Sequence, residues 1–488
     1  MRSARVDIDG VGTVQGVLDG DVVRFRGIPY AAAPVAERRF RAPEPHPGWD
    51  GVRDARRPGP TPLLPPSSTT SSIPEPTTPG SEILNLSITR SVELTSSAPV
   101  YVWIHGGTYV AGTPNGGWFD GETLARSGVV VVTITYRLGF EGFGYLPEEP
   151  NNRAVLDALA ALTWVRQHIS GFGGDPSRVT VGGQSAGGGM VLALLASPAA
   201  QGLFRAAVLH SAPLPDISLT DAQAVTGEMS RELGIDDPRD WRAVPRAEIV
   251  AAERRLQAGS WWTDLNHLHG VFSGRLPVTR FGPVIDELVP PILPALALPD
   301  ARPILLGTTA AEFNPTTASL ETMLGRTAAR PVLAALGVPA VLSRGYPRAY
   351  PDLPVATLIG QALTNRAFRM PAVAIADARA GAAAPVGLWD FRWHSSVGPA
   401  RHCIDLPFAW DVLDGERVDR IAGPHPPQQL ADEMSADIAS FIHSAQLPWP
   451  GFSPSRPIAK VYDLPSWIGR DPYRFERLAL SAAGSRPR

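Results

Sequence analysis

The 488-residue chain has almost no cysteine and almost no lysine: Cys403 is the sole cysteine and Lys460 the sole lysine. One cysteine excludes an intrachain disulfide framework. The missing lysines, with arginine carrying nearly all positive charge, read as coding bias rather than chemistry. An excess of positive charge is also lacking. The net charge of −3 argues against binding nucleic acid or an anionic membrane surface, since both need a basic face. No run of about 18 apolar residues exists to span a bilayer. The start, Met1-Arg2-Ser3-Ala4-Arg5-Val6-Asp7-Ile8, has no apolar core of the kind a secretory leader carries. A cytoplasmic protein is therefore expected, a monomer or weak homo-oligomer that acts on a small molecule. What is present is 44% hydrophobic and 19% charged residues, the balance of an enzyme with a sizeable core.

Apolar, β-rich segments punctuate the chain at Pro99 to Ile104, Val129 to Tyr136, Arg178 to Gly182, Arg205 to His210, Arg302 to Leu306 and Val386 to Arg392. Between them lie helical patterns such as Ala154 to Ile169, where Leu156, Leu159, Leu162, Val165 and Ile169 recur at helical spacing. Strands alternating with helices predict an α/β fold with a mostly parallel sheet covered on both faces. Residues 1–488 read as a single domain without internal repeats. Residues 61–80, rich in Pro, Ser and Thr, are expected to form a mobile loop. Segments 221–258 and 316–380 read as helical insertions that could build a lid or pocket wall.

The densest signal is Val179-Thr180-Val181-Gly182-Gly183-Gln184-Ser185-Ala186-Gly187-Gly188, followed by the apolar run Met190 to Ala196. It reads as strand, Gly-x-Ser-x-Gly turn, helix. The pentapeptide alone is weak in a chain with 47 glycines. Between a strand and a helix it is strong, because a nucleophilic serine needs exposure at a sharp turn. Glycines two before and two after it clear the space. Such a serine needs a base, usually a histidine oriented by a carboxylate. In this architecture the acid and then the histidine follow downstream. Glu312, after the strand-like Ile304 to Leu306, is the leading acid, with Asp286 and Glu287 as competitors. His394, His402, His425 and His443 all lie far enough downstream, and spacing does not choose among them. Upstream, Val102-Trp103-Ile104-His105-Gly106-Gly107-Thr108 ends a buried strand in a glycine pair. Such backbone can offer N–H groups to an oxyanion.

These motifs, in this order, resemble the type-B carboxylesterases, and among them the bacterial para-nitrobenzyl esterases. The likeness runs from Phe25-Arg26-Gly27-Ile28-Pro29-Tyr30-Ala31 through Trp103 to Gly107, Thr135-Tyr136-Arg137-Leu138-Gly139, Asn152 and Phe172 to Pro176. It continues through the serine turn, Gly282 to Asp286, and His402 with Leu406-Pro407-Phe408. The resemblance implies an α/β-hydrolase fold with helical lid or pocket insertions, and hydrolysis of small to medium hydrophobic carboxylic esters without metal or organic cofactor. It implies Ser185 as nucleophile, Glu312 as acid and His402 as base. The implied oxyanion hole is built on Gly106, Gly107, Thr108 and Ala186.

The chain departs from the family pattern at three points. Gln184 replaces the usual glutamate before the serine. Ala311-Glu312-Phe313 replaces Asp-Glu-Gly around the acid. Thr108 stands where glycine or alanine is common. Ser211 resembles the family's supporting serine beside the site. Trp261 and Trp262 are weak candidates for the substrate pocket, and Cys403 is expected to be a buried small residue. His267 and His269 could pair on a metal, but no third ligand accompanies them. The same acyl-enzyme route would also serve carbamate or amide hydrolysis, or acyl transfer to an alcohol. A non-catalytic binding protein of this fold would ordinarily lack a triad member, and here all three are present. A histidine base predicts activity falling below about pH 6 to 7.

Overall fold

Runs of β-branched and aromatic residues with both faces buried build the middle of the sheet. The computed structural model describes residues 3–64, 72–94, 96–256, 263–325, 327–382 and 384–482. Among them the strands are β1 (Ser3–Ile8), β2 (Gly12–Asp19), β3 (Val22–Pro29), β4 (Val52–Asp54), β5 (Asn85–Ser91), β6 (Ala98–Ile104) and β7 (Val130–Ile134). β8 (Gly174–Gln184), β9 (Ala206–His210), β10 (Ile304–Thr309), β11 (Val386–Phe391), β12 (Ala459–Tyr462) and β13 (Trp467–Gly469) complete the set. All pair into one sheet in the order β1-β2-β3-β5-β7-β6-β8-β9-β10-β11-β12-β13, with β4 beside β2.

The block from β7 through β12 is wholly parallel, whereas β1, β2, β3 and β5 join it as an antiparallel meander and β13 closes the other edge antiparallel. Parallel strands need crossover helices that cover both faces, so their residues are mostly apolar. β6, β7, β9, β10 and β11 are buried at every position. The polar consequence is that the turns following β6, β8, β9, β10 and β11 all emerge at one edge of the sheet, where ligands bind in such folds.

Helix Ala186–Ala196 starts at the end of β8 and is buried on every side. It packs so closely on β6 that a Cβ on Gly187 would lie 2.0 Å from the carbonyl oxygen of Ile104. Helices Leu219–Leu233 and Arg246–Leu256 lie between β9 and β10, and helices Ala340–Ala349, Val355–Thr364 and Met370–Ala378 lie between β10 and β11. Part of the 61–80 segment lies outside the described residues. Its two described flanks are tied together, Thr61 N–H donating to the Thr78 carbonyl (2.9 Å) and Thr78 N–H to Thr61 Oγ1 (3.2 Å). No helix among the described residues is long and apolar enough to cross a membrane.

Gly187→Ala forces a methyl into backbone that cannot yield like a side chain. The expected loss is on the order of 3 kcal/mol or more, read by urea unfolding; an unchanged midpoint would contradict the close approach.

Candidate active site

Ser185 sits between β8 and the buried helix with φ 54° and ψ −124°, a backbone conformation that costs a non-glycine residue free energy. The position is held because the chain has no room to relax. Ser185 N–H donates to the His210 carbonyl (2.9 Å), and the Ser185 carbonyl receives Gly189 N–H (2.9 Å). A Cβ on Gly183 would meet the Gly187 carbonyl carbon at 2.5 Å, so the flanking glycines are steric requirements.

Glu312 is 2% exposed, on the turn after β10. Its Oε1 accepts from Ser211 Oγ (2.6 Å) and from Thr309 N–H (2.9 Å), and its Oε2 lies 2.5 Å from His402 Nδ1. A buried carboxylate is tolerable only when its oxygens are met in this way. The two backbones are also joined, His402 N–H to the Glu312 carbonyl at 3.1 Å. The residues around Glu312 that depart from the family pattern are clamped by helix Val355–Thr364. Gln361 Nε2 donates to the Ala310 carbonyl (3.2 Å), Asn314 Nδ2 to Gln361 Oε1 (2.9 Å), and Phe313 N–H to Thr364 Oγ1 (2.9 Å).

His402 is stacked on Phe368 (centroids 4.9 Å, 23°) and tilted against Phe313 (5.6 Å, 40°). With Nδ1–H given to Glu312, Nε2 is an acceptor, and the Gln184 amide nitrogen stands 3.1 Å from it and 3.2 Å from Cys403 Sγ. Burial alone pushes the imidazole toward neutrality. The Cys403 sulfur and the Glu312 carboxylate beside it outweigh burial and hold its pKa well above the ordinary histidine value.

The loop after β6 turns its carbonyls away from this centre. The Gly106 carbonyl meets His105 Nδ1 (2.8 Å), the Gly107 carbonyl receives Val110 and Ala111 N–H (3.1 and 2.9 Å), and the Tyr109 carbonyl receives Gly139 N–H (2.7 Å). His105 is pushed down to about 4, first by burial and against the pull of its own hydrogen bond to Gly106, and so stays neutral. Among the described residues nothing accepts the N–H groups of Gly107, Thr108 or Ala186. Gly106 adjoins the serine, a Cβ there falling 3.2 Å from Ser185 Cβ. Thr108 has φ 51°, is exposed, and folds its hydroxyl onto the Gly107 carbonyl (2.8 Å).

The other candidates separate cleanly. Asp286 is engaged with Asn152 Nδ2 (2.9 Å) and Val289 N–H (2.9 Å), and His394 is exposed. His269 Nδ1 bonds the Ala335 carbonyl at 3.0 Å. Trp261 and Trp262 lie outside the described residues. The clamp residues Gln361 and Thr364 and the ring of Phe368 carry no motif of their own. Among the supporting residues Ser211, Gln184 and His105 stood in stretches that the sequence singled out.

Parallel strands that deliver a serine elbow, a buried carboxylate–imidazole pair and unpaired N–H groups to one edge place the protein in the α/β-hydrolase class. Within it, the chain belongs to the carboxylesterase family, whose model matches residues 2–328. It is 32% identical to the para-nitrobenzyl esterase of Bacillus subtilis over 96% of this chain and 97% of that protein. It is also 32% identical to the fumonisin B1 esterase of Sphingopyxis macrogoltabida, over 90% of this chain and 83% of that one. The solved carboxylesterase of Geobacillus stearothermophilus superposes with a TM-score of 0.84 at 32% identity, covering 97% of this chain and 99% of that structure. The protein is a carboxylic ester hydrolase.

With His402 as the base, which must be neutral to act, kcat/KM is expected to rise with pH through its pKa in the free enzyme. Glu312→Gln removes the negative charge that raises this pKa. The acid limb should shift to lower pH, with kcat down on the order of 10²- to 10⁴-fold. A pH–rate series on both proteins checks this, and an unmoved limb would contradict it.

Proposed function

We propose that Ser185, His402 and Glu312 are the nucleophile, base and orienting acid of this esterase. The observation that supports the reading is the 2.5 Å contact between His402 Nδ1 and Glu312 Oε2, which favours the tautomer with Nε2 as acceptor, beside the amide of Gln184, the residue that precedes the elbow serine. His402 takes the Ser185 proton as Oγ attacks the ester carbonyl. Glu312 stabilises the imidazolium. The developing oxyanion is received by the N–H groups of Gly107, Thr108 and Ala186, aimed beforehand and therefore free of reorganisation cost. His402 then protonates the leaving alcohol, and water repeats the sequence on the acyl-enzyme.

The substrates in this reading are small to medium hydrophobic esters. Supporting it are the Phe313 and Phe368 rings, which give the base an apolar wall, and a chain net charge that offers no bulk attraction to anions. The Gln184 amide keeps a hydrogen-bonding group beside the base without adding a charge.

Hydrolysis of para-nitrophenyl acetate, butyrate and octanoate by the wild type and Ser185→Ala tests the assignment. Turnover should vanish in the variant, and the ranking of chain lengths sizes the acyl pocket. Persistent enzymatic turnover in Ser185→Ala would remove the nucleophile. Thr108→Gly should raise the relative rate on bulky esters; identical rate ratios on small and bulky esters would show that Thr108 does not limit the pocket.

A further inference from the structure

Beneath the site lies a second histidine–carboxylate pair that no step of ester hydrolysis uses. His210 Nδ1 stands 2.7 Å from Asp405 Oδ2, and the two side chains are 1% and 0% exposed. Neither side chain can reach a substrate, so the pair is no alternative base. The imidazole is held edge-on between Trp103 (centroids 5.8 Å, 75°) and Trp389 (4.9 Å, 63°).

Stability does not explain it. A buried ionic pair is commonly no more stable than two apolar side chains of the same volume. Here Asp405 Oδ1 has no hydrogen-bond partner among the described residues, which makes the carboxylate costlier still. What the pair does provide is geometry. His210 is the last residue of β9, and its carbonyl takes the Ser185 N–H at 2.9 Å. Ser211, next in the chain, donates to Glu312 Oε1. Asp405 lies three residues beyond His402 and opens helix Leu406–Ala409, its backbone carbonyl accepting Ala409 N–H at 2.9 Å. The end of β9 therefore touches Ser185 through backbone, Glu312 through Ser211, and the His402 loop through the His210 side chain.

We propose that His210 and Asp405 are positioning residues for the reaction, tying the loop that carries His402 to the strand end that holds Ser185 and Glu312. The inference rests on the triad roles proposed above. His210 Nδ1–H donates to the Asp405 carboxylate, and the bond sets the distance between base and nucleophile. It does so from outside the substrate pocket, so its loss acts on the chemical step and not on substrate binding.

The test compares His210→Leu, which deletes the donor, with His210→Asn, whose amide nitrogen stands where Nδ1 stood. The double variant His210→Leu/Asp405→Leu removes the buried charge along with its partner, and so remains folded if the lone carboxylate in the single variant does not. Steady-state kinetics on para-nitrophenyl butyrate are paired with the rate at which a fluorophosphonate labels Ser185. A misplaced base should lower kcat and the labelling rate together by roughly 100-fold, with KM little changed. The same loss should appear in the folded double variant, and His210→Asn should recover most of it. A folded double variant with wild-type kcat, an asparagine variant as slow as the leucine one, or losses confined to KM would each overturn the proposal. Wild-type protein that fails to label at Ser185 would overturn the triad reading, and this inference with it.

Discussion

The contact between the Glu312 carboxylate and the His402 imidazole is the interaction around which the rest of the site is arranged. A carboxylate at 2% exposure survives only with its oxygens occupied, because desolvating a lone charge costs several kcal/mol. That requirement recruits Ser211, Thr309 and His402 as direct partners. Through the surrounding turn it also recruits Gln361, Thr364 and Asn314. They come from the end of β9, from β10 and its turn, from helix Val355–Thr364 and from the stretch after β11, so the carboxylate cannot be placed without that helix being in register with the sheet. The same carboxylate, together with the Cys403 sulfur, raises the pKa of the imidazole.

The serine side is organised by steric exclusion. Ser185 and the carbonyl-out loop after β6 occupy positive-φ backbone at Ser185, Gly107, Thr108 and Tyr109. Such strain persists where neighbours leave no alternative. Gly183 and Gly187 let helix Ala186–Ala196 press against the end of β6, next to the Gly106–Thr108 loop. Charge compensation organises the Glu312–His402 side, and close backbone packing organises the side we propose receives the oxyanion.

Much of this was legible in the sequence, for reasons that differ from residue to residue. β6, β7, β9, β10 and β11 were readable because strands buried on both faces are continuous apolar runs. The elbow was readable because its glycines are steric necessities. Glu312 followed from its place just after β10. The antiparallel strands before residue 98 gave no comparable signal. β1, for instance, buries only Val6 and Ile8, and β12 is only four residues long. His402 could not be chosen from spacing, because it lies on an irregular stretch after β11 with other histidines on either side. Resemblance to the family chose it. The supporting contacts of Gln361, Thr364 and His210 were beyond local reading, since their partners lie some 50 to 195 positions away along the chain.

The central claim, that acyl transfer passes through Ser185, is tested most directly by trapping the intermediate. The wild type would be quenched in acid during turnover of a slowly deacylating carbamate, digested, and its peptides weighed by mass spectrometry. The account predicts one carbamoyl group per active chain, on the peptide containing Ser185, and none when His402 is replaced by alanine. An adduct on another residue, or turnover with no covalent adduct at all, would contradict it.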